Sequence, residues 1–215
     1  MPMDVLAVLK RYGIRPSKAL GQSFLADRDV LRRIVTVSQL TQEDVVLEVG
    51  PGLGQLTEAL APAVSAVIAV ELDERMLAVL AQELAQLSNV HIVAGDLLTV
   101  DPPTIIRQAL QRAPDAPLAY KVVANLPYYI TSTAIRHLLS AEPRPSALTL
   151  MVQREVAERI VALPGALSLL ALGVQVYGDP EIVLQVPARA FYPSPKVDSA
   201  VLRVEILAQP RVPER

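Results

Sequence analysis

The tetrapeptide Asn125-Leu126-Pro127-Tyr128 follows an apolar run and has the residue types needed to hold an amino group on an aromatic ring. The Asn125 amide oxygen and the Leu126 carbonyl, whose direction Pro127 fixes, offer two hydrogen-bond acceptors to one NH₂ group. Tyr128 offers a flat face for stacking on that ring. Because an aromatic amine is a poor nucleophile, two acceptors would pull its nitrogen toward a tetrahedral form and aim the lone pair at a methyl donor. An ordinary turn after a strand is the alternative interpretation.

Three earlier positions carry groups suited to an adenosine-containing cofactor. Gly50, Gly52 and Gly54 form a G-x-G-x-G turn after an apolar run, and glycines let a backbone approach a ligand closely. Such a turn is shared by dinucleotide sites and S-adenosylmethionine sites, and it can also be only a tight turn. Glu71 ends the next apolar run and can accept hydrogen bonds from two ribose hydroxyls, or cap a helix. Asp96, after a third run, can accept from the exocyclic amine of adenine, or serve a turn.

The elements that must position these residues alternate along the chain. Apolar runs of strand length occupy 45–49, 66–71, 90–94, 119–124 and 147–152. Amphipathic stretches of helix length occupy 3–12, 27–38, 55–60, 74–86, 104–112, 131–139 and 153–161. Nearly continuous apolar strands alternating with helices predict a parallel sheet covered on both faces, with its site at the carboxyl ends of the strands. Two further runs, 181–186 and 199–206, have no helix between them and predict an antiparallel hairpin at the sheet edge.

The composition excludes several classes of protein. The 215 residues are 52% apolar and nearly balanced in charge, which is typical of one large globular domain. The absence of cysteine excludes disulfides and thiolate metal sites, and His91 and His137 lie too far apart for a local metal motif, so no metal is expected. Asp4 and Lys10 interrupt any secretory signal, and we expect a cytoplasmic protein.

Two segments differ from the rest of the chain in their charge. Residues 1–40 carry seven basic groups against three acids, which predicts either a footprint for a polyanion or a solvated helix face. The stretch 160–178 has no charge and is long enough to span a membrane. Pro164-Gly165 splits this stretch, and the residues after the break have the spacing of a core helix.

The chain resembles the ribosomal RNA adenine dimethyltransferases of the KsgA type over nearly its whole length. The matching segments, in the order of the family, are 20–25 (LGQSFL), 48–52 (EVGPG), 71–73 (ELD), 95–96 (GD), 125–128 (NLPY), 153–159 (QREVAER) and 191–201 (FYPSPKVDSAV). The glycine turn and the acids mark any S-adenosylmethionine-dependent methyltransferase. The first and last segments are far more specific to this family.

The resemblance implies an α/β, Rossmann-like methyltransferase fold with a mostly parallel, seven-stranded sheet. It implies that the following residues contact S-adenosylmethionine or line its pocket: Ser23, Leu25, Gly50, Gly52, Glu71, Asp96 and Asn125. The implied catalytic residues are Asn125, Leu126, Pro127 and Tyr128, with Phe191 stacking on the target adenine opposite Tyr128. The implied reaction is N6,N6-dimethylation of adenosines in small-subunit ribosomal RNA during ribosome biogenesis, by a monomer that does not contact membranes.

The chain departs from the family in three places. Ser23 stands where the family has asparagine, and the serine side chain is shorter. The loop after residue 161 is short and lacks the family's Tyr-Gly. Family members continue into a small helical domain, whereas this sequence stops at Arg215. We therefore expect a basic helical extension over 1–40, a catalytic domain over 41–207 and a loose tail over 208–215.

Three other functions are compatible with parts of the pattern. A relative that confers antibiotic resistance by methylating large-subunit RNA would share the fold and the amine clamp. A non-catalytic RNA-binding assembly factor could retain the fold. A nicotinamide-dependent dehydrogenase is disfavoured because its usual fingerprint is G-x-G-x-x-G, and here the third glycine comes one residue early, at Gly54.

Overall fold

The computed structural model describes residues 3–17 and 22–212 and places a central sheet between two layers of helices. Its helices are α1 (Val5–Arg11), α2 (Arg28–Val37), α3 (Gln55–Leu60), α4 (Glu74–Glu83), α5 (Pro102–Ala109), α6 (Thr131–Leu139), α7 (Arg154–Ile160) and α8 (Leu169–Gln175). Its strands are β1 (Phe24–Leu25), β2 (Val45–Val49), β3 (Ala66–Glu71), β4 (Val90–Ala94), β5 (Lys121–Asn125), β6 (Ala147–Gln153), β7 (Gly178–Val186), β8 (Phe191–Tyr192) and β9 (Ser199–Ile206).

The main sheet has seven strands in the order β4-β3-β2-β5-β6-β9-β7. Strands β2 to β6 pair in parallel, and β9 pairs antiparallel with both β6 and β7. The expected parallel sheet and antiparallel edge are therefore confirmed. The order reverses beside β2, because β3 and β5 lie on its two sides, and ligands bind at such a switch point in open α/β sheets.

Side-chain alternation along the strands divides the core into two layers. On one face, Val45, Leu47 and Val49 join a cluster that includes buried residues of α5, α6, α7 and α8. On the other face, Val46 and Val67 pack with the apolar side of α2 and with α3. Burying both faces explains why the strands read as continuous apolar runs in the sequence.

Local signals set the start of several helices. The carboxylates of Asp27, Asp73 and Asp101 accept hydrogen bonds from backbone N–H groups in the first turns of α2, α4 and α5. Helix α5 begins at Pro102, two residues before the predicted start, because proline is well accommodated in a first turn.

The uncharged stretch 160–178 is broken as predicted. Helix α7 ends at Ile160, and α8 begins at Leu169 after a loop containing Gly165, which has a φ of +103°. Within residues 3–17 and 22–212, no helix has the length and hydropathy required to cross a bilayer.

Two features of the fold were not predicted. Strands β1 and β8 form a separate two-stranded antiparallel sheet, in which Phe24 faces Tyr192 and Leu25 faces Phe191. Arg211, within the segment predicted to be a loose tail, donates from its backbone N–H to the Val176 carbonyl at 2.9 Å. The division into three parts stays a prediction.

Candidate active site

A cavity of about 750 Å³ opens at the carboxyl ends of β2, β3, β4 and β5, beside the switch point. Every residue that the family resemblance assigned to the site lines this cavity, whereas Gly54, the third glycine of the turn, does not. The assigned residues are Ser23, Leu25, Gly50, Gly52, Glu71, Asp96, Asn125, Leu126, Pro127, Tyr128 and Phe191. The sheet thus collects residues that are far apart in sequence. Leu20 and Gly21 of the first family motif, and Lys18 of the basic segment, lie outside the described residues.

The glycine turn after β2 requires glycine for conformational reasons. Gly50 and Gly52 have φ values of +64° and +59°, in the left-handed region that side chains disfavour. A Cβ atom on Gly52 would lie 3.1 Å from the ring of Phe24. The turn therefore brings backbone to the cavity without a side chain in between.

Glu71 supports this turn as well as lining the cavity. One carboxylate oxygen accepts from the Gly52 N–H at 3.0 Å, and the other accepts from the N–H groups of Leu72 and Asp73, both at 2.9 Å. Burial raises the pKa of the Glu71 carboxyl, and these backbone donors oppose the rise. A carboxylate has about four acceptor positions, so three backbone bonds leave about one for a ligand. Asp73, not Glu71, is the N-cap of α4.

Glu48 is a buried acid of the cavity lining to which the sequence analysis gave no role of its own. Its side chain is 1% exposed, and its Oε2 atom has no hydrogen-bond partner among the described residues. Burial raises its pKa to about 8, and the nearby charge of Glu71 adds to the rise. A glutamate inside the apolar run 45–49 was the available signal, because a buried charge needs a reason.

The predicted amine clamp retains its hydrogen-bonding capacity. Within the described part of the chain, no donor binds the Asn125 side chain or the Leu126 carbonyl, while the Leu126 N–H donates to the Met151 carbonyl at 3.2 Å. Leu126 itself is 1% exposed, which holds its backbone in place. Two acceptors of residues that line the cavity thus have no donor within the described residues.

Only one oxygen of the Asp96 carboxylate accepts a hydrogen bond from a described residue. Its Oδ1 atom accepts from the Leu98 N–H at 2.9 Å and stabilises the turn after β4. The second carboxylate oxygen has no partner in the segments 3–17 and 22–212. This leaves one oxygen available to a ligand, and the contact with adenine stays a prediction.

The remaining wall comes from the two-stranded sheet. Leu25 and Phe191 are direct partners between β1 and β8, and both are buried. The Ala190 carbonyl also accepts from the Ala26 and Asp27 N–H groups, at 2.8 and 3.1 Å. Ser23 lines the same side, with no hydrogen bond from its side chain to another described residue.

Solved structures with the same architecture define the class of protein. A crystal structure of the 23S rRNA methyltransferase ErmE superposes with a TM-score of 0.76 and 32% identity, covering 89% of this chain and 72% of that one. A dimethyladenosine transferase from Plasmodium falciparum gives a TM-score of 0.73 and 28% identity, covering 86% and 63%. The fold is that of the Rossmann-like methyltransferases.

Sequence comparison then identifies the family. The family profile described as ribosomal RNA adenine dimethylase matches residues 14–214. A ribosomal RNA small subunit methyltransferase A from Dehalococcoides mccartyi is 44% identical over 93% of this chain, and one from Moorella thermoacetica is 43% identical over 98%. The chain belongs to the ribosomal RNA adenine dimethylase family. It spans 66% of the length of the first relative and 74% of the second.

Proposed function

We propose that this chain uses S-adenosylmethionine to dimethylate the exocyclic N6 of adenosines in small-subunit ribosomal RNA, in the cytoplasm. The observation that carries the proposal is a pair of acceptors beside Tyr128 in the cavity lining, Asn125 and the Leu126 carbonyl, to which no described residue donates. The family of the chain supports this assignment. The reaction converts the amine first to its monomethyl and then to its dimethyl form.

The residues of the cavity fit the proposed cofactor. Gly50 and Gly52 keep side chains away from the turn, and the unpartnered Glu48 oxygen offers a buried acceptor to a cationic group. Glu71 and Asp96 each retain an acceptor position for the ribose and the adenine. When bound, S-adenosylmethionine supplies an electrophilic methyl group.

The chain's own contribution to the chemistry is orientation. Asn125 and the Leu126 carbonyl would accept both hydrogens of the adenine N6, which aims the nitrogen lone pair toward the cofactor side of the cavity. Tyr128 would stack on the base after it has turned out of its helix, with Phe191 on the other side. The amine proton can leave to water, so no residue is assigned as a general base.

The direct experiment is transfer of a labelled methyl group to small and large ribosomal subunits with unmethylated RNA, followed by nucleoside analysis. We expect N6,N6-dimethyladenosine in the small subunit. Transfer to the large subunit alone would favour the function of ErmE, which the structural similarity makes the second candidate. Cofactor binding without transfer to either subunit would favour a non-catalytic assembly factor.

The basic segment gives a test of RNA binding. Arg32 and Arg33 are exposed on α2, opposite its buried residues, and Arg32 pairs with Asp29. Reversing both charges should weaken RNA binding and reduce its dependence on salt, because fewer counterions are released. Unchanged affinity and salt dependence would place the RNA elsewhere.

A matched control is the pair of reversals Arg112→Glu and Arg136→Glu. Both arginines are exposed. They lie just after α5 and late in α6, helices that run back from the carboxyl edge of the sheet. We expect this double variant to bind RNA as the wild type does.

The expected monomeric state remains a prediction that sedimentation of the purified chain can test.

A further inference from the structure

A hydrogen bond between two hydroxyl groups connects the amine clamp to a distant strand. The Tyr128 hydroxyl lies 2.7 Å from the Ser199 hydroxyl. Ser199 is fully buried, whereas Tyr128 is partly buried and lines the cavity. The bond therefore ties a residue of the cavity wall to a residue that a ligand in the cavity does not reach.

Ser199 is held in place by the sheet. It is the first residue of β9, and it pairs with Gln153 of β6 on one side and with Val186 of β7 on the other. The preceding residue, Asp198, accepts from the Ala188 N–H at 2.9 Å. Because the sheet holds this backbone in place, the Ser199 hydroxyl has a defined position. A side chain that is hydrogen-bonded to it is restrained as well.

Tyr128, in contrast, lies outside the regular strands. It begins the short 3-10 turn that follows Pro127, and the last residue of β5 is Asn125. The hydroxyl lies at the far end of the ring, on the line of the Cβ–Cγ bond, so a hydrogen bond to it restrains the direction of the ring axis, which depends on rotation about the Cα–Cβ bond. Without this hydrogen bond, the direction of the ring axis would depend only on the packing of the ring against its neighbours.

We propose that Ser199 is a positioning residue that fixes the direction of the Tyr128 ring axis and so directs the adenine amine to the clamp. This rests on the function proposed above. The ring on which the base stacks and the Asn125 amide are three residues apart, so a swing of the ring axis moves N6 away from the acceptors. Small misplacements of reacting groups are costly in rate, even when binding is little changed.

A purely structural role makes a different prediction. If Ser199 only satisfied a buried hydroxyl, its loss would lower stability and leave turnover by the folded protein unchanged. A suitable control is Ser38, another buried serine, whose hydroxyl donates to the Ile34 carbonyl at 2.7 Å. Ser38 does not line the cavity.

The experiment is a double-mutant cycle with Ser199→Ala and Tyr128→Phe, measured as kcat and KM for methyl transfer to small subunits. Each single variant should lower kcat about tenfold, with the affinity for S-adenosylhomocysteine changed less than about twofold. The double variant should resemble either single one, because both substitutions remove the same hydrogen bond. Ser38→Ala should unfold at a lower temperature and keep the wild-type kcat.

Two results would overturn the inference: a wild-type kcat for Ser199→Ala, or losses that multiply in the double variant. Should Ser199→Ala fail to fold, Tyr128→Phe decides alone, because it keeps the ring and removes only the bond. A wild-type kcat for Tyr128→Phe would then reject the positioning role. Wild-type protein that transfers no methyl group would instead reject the proposed function, and the inference with it.

Discussion

The cavity has two walls that differ in origin and chemistry. The edge wall consists of Gly50, Glu71, Asp96 and Asn125, at or just after the ends of β2, β3, β4 and β5. The cover wall consists of Phe24, Leu25 and Phe191, on β1 and β8. The edge wall presents backbone groups and polar side chains, whereas the cover wall is apolar. The polar and the apolar surfaces of the cavity therefore come from two different parts of the molecule.

The two walls also differ in how firmly the fold holds them. The edge wall continues from β2, β3 and β5, whose residues are mostly buried, and from the edge strand β4, whose residues are partly buried or exposed. The cover wall is a two-stranded pair, a unit that is at most marginally stable without further packing. Its further packing includes Phe24 against Gly52, so the glycine turn joins the two walls. Substitutions in the edge wall should affect chemistry and cofactor binding, and substitutions at the junction should affect how the walls meet.

The largest effect is expected from Asn125→Ala in the edge wall. Removing one of two preorganised groups that act on the transition state costs roughly 10²–10³-fold in kcat in comparable sites. The Asn125 side chain has no hydrogen bond within the described residues, so the melting temperature should stay near that of the wild type. Single-turnover methyl transfer measures the effect, and turnover close to normal would remove the clamp from the mechanism.

A large pH-dependent effect is expected from Glu48→Gln. The pKa of Glu48 is raised from 4.5 to about 8, so the folded state holds a proton that the unfolded state releases between these values. Wild-type stability should therefore fall as pH rises from about 4.5 to 8, and the variant should lack this loss. At pH 9, the free energy of unfolding of Glu48→Gln should exceed that of the wild type by on the order of a few kcal/mol.

Thermal unfolding of both proteins at pH 5.5 and pH 9 measures this difference. Asp115→Ala, an exposed acid outside the cavity, serves as the control and should follow the wild type at both values. Parallel pH profiles for Glu48→Gln and the wild type would show that Glu48 is ionised in the folded protein already at low pH.

A smaller effect is expected from Glu71→Ala. Loss of a charge-assisted hydrogen bond to a ribose should weaken S-adenosylhomocysteine binding by about 1.5–3 kcal/mol. The variant should also lose some stability, because Glu71 accepts hydrogen bonds from three backbone N–H groups. Calorimetric titration at a temperature where the variant is folded separates the two effects, and an unchanged affinity would contradict the ribose contact.

The smallest effect is expected from Gly52→Ala, at the junction of the walls. The left-handed φ of +59° costs a non-glycine residue roughly 1–2 kcal/mol, and the added Cβ presses on the Phe24 ring. Denaturant unfolding measures the loss. Phe24→Leu in the same background should recover part of it by relieving the contact, and no recovery would show that the cost is conformational alone.

The sequence predicted the edge wall well because its information is local. Each of its residues ends or follows an apolar run of strand length, and alternating strands and helices imply a parallel sheet whose strand ends meet. The strands 45–49, 66–71 and 90–94 were located to the residue. Glu48 was visible in the first of these runs, but its lack of a partner was not.

The cover wall was not predicted as an element, because two-residue strands have no periodicity to read. Phe191 and Leu25 were assigned to the site only through their place in family motifs. Their direct pairing depends on a contact between the two ends of the chain. The bond between Tyr128 and Ser199 is likewise invisible in the sequence, where 70 residues separate them.

By itself, the sequence determined the alternating strands and helices, the site at the strand ends and the family, because these follow from hydrophobic periodicity and from motifs a few residues long. Only the tertiary structure decided that Glu48 Oε2 lacks a partner among the described residues, that Glu71 accepts three backbone hydrogen bonds, and that the Tyr128 and Ser199 hydroxyls are hydrogen-bonded. The reason is that burial and hydrogen bonding depend on which distant segments pack together, and that is a property of the whole folded chain.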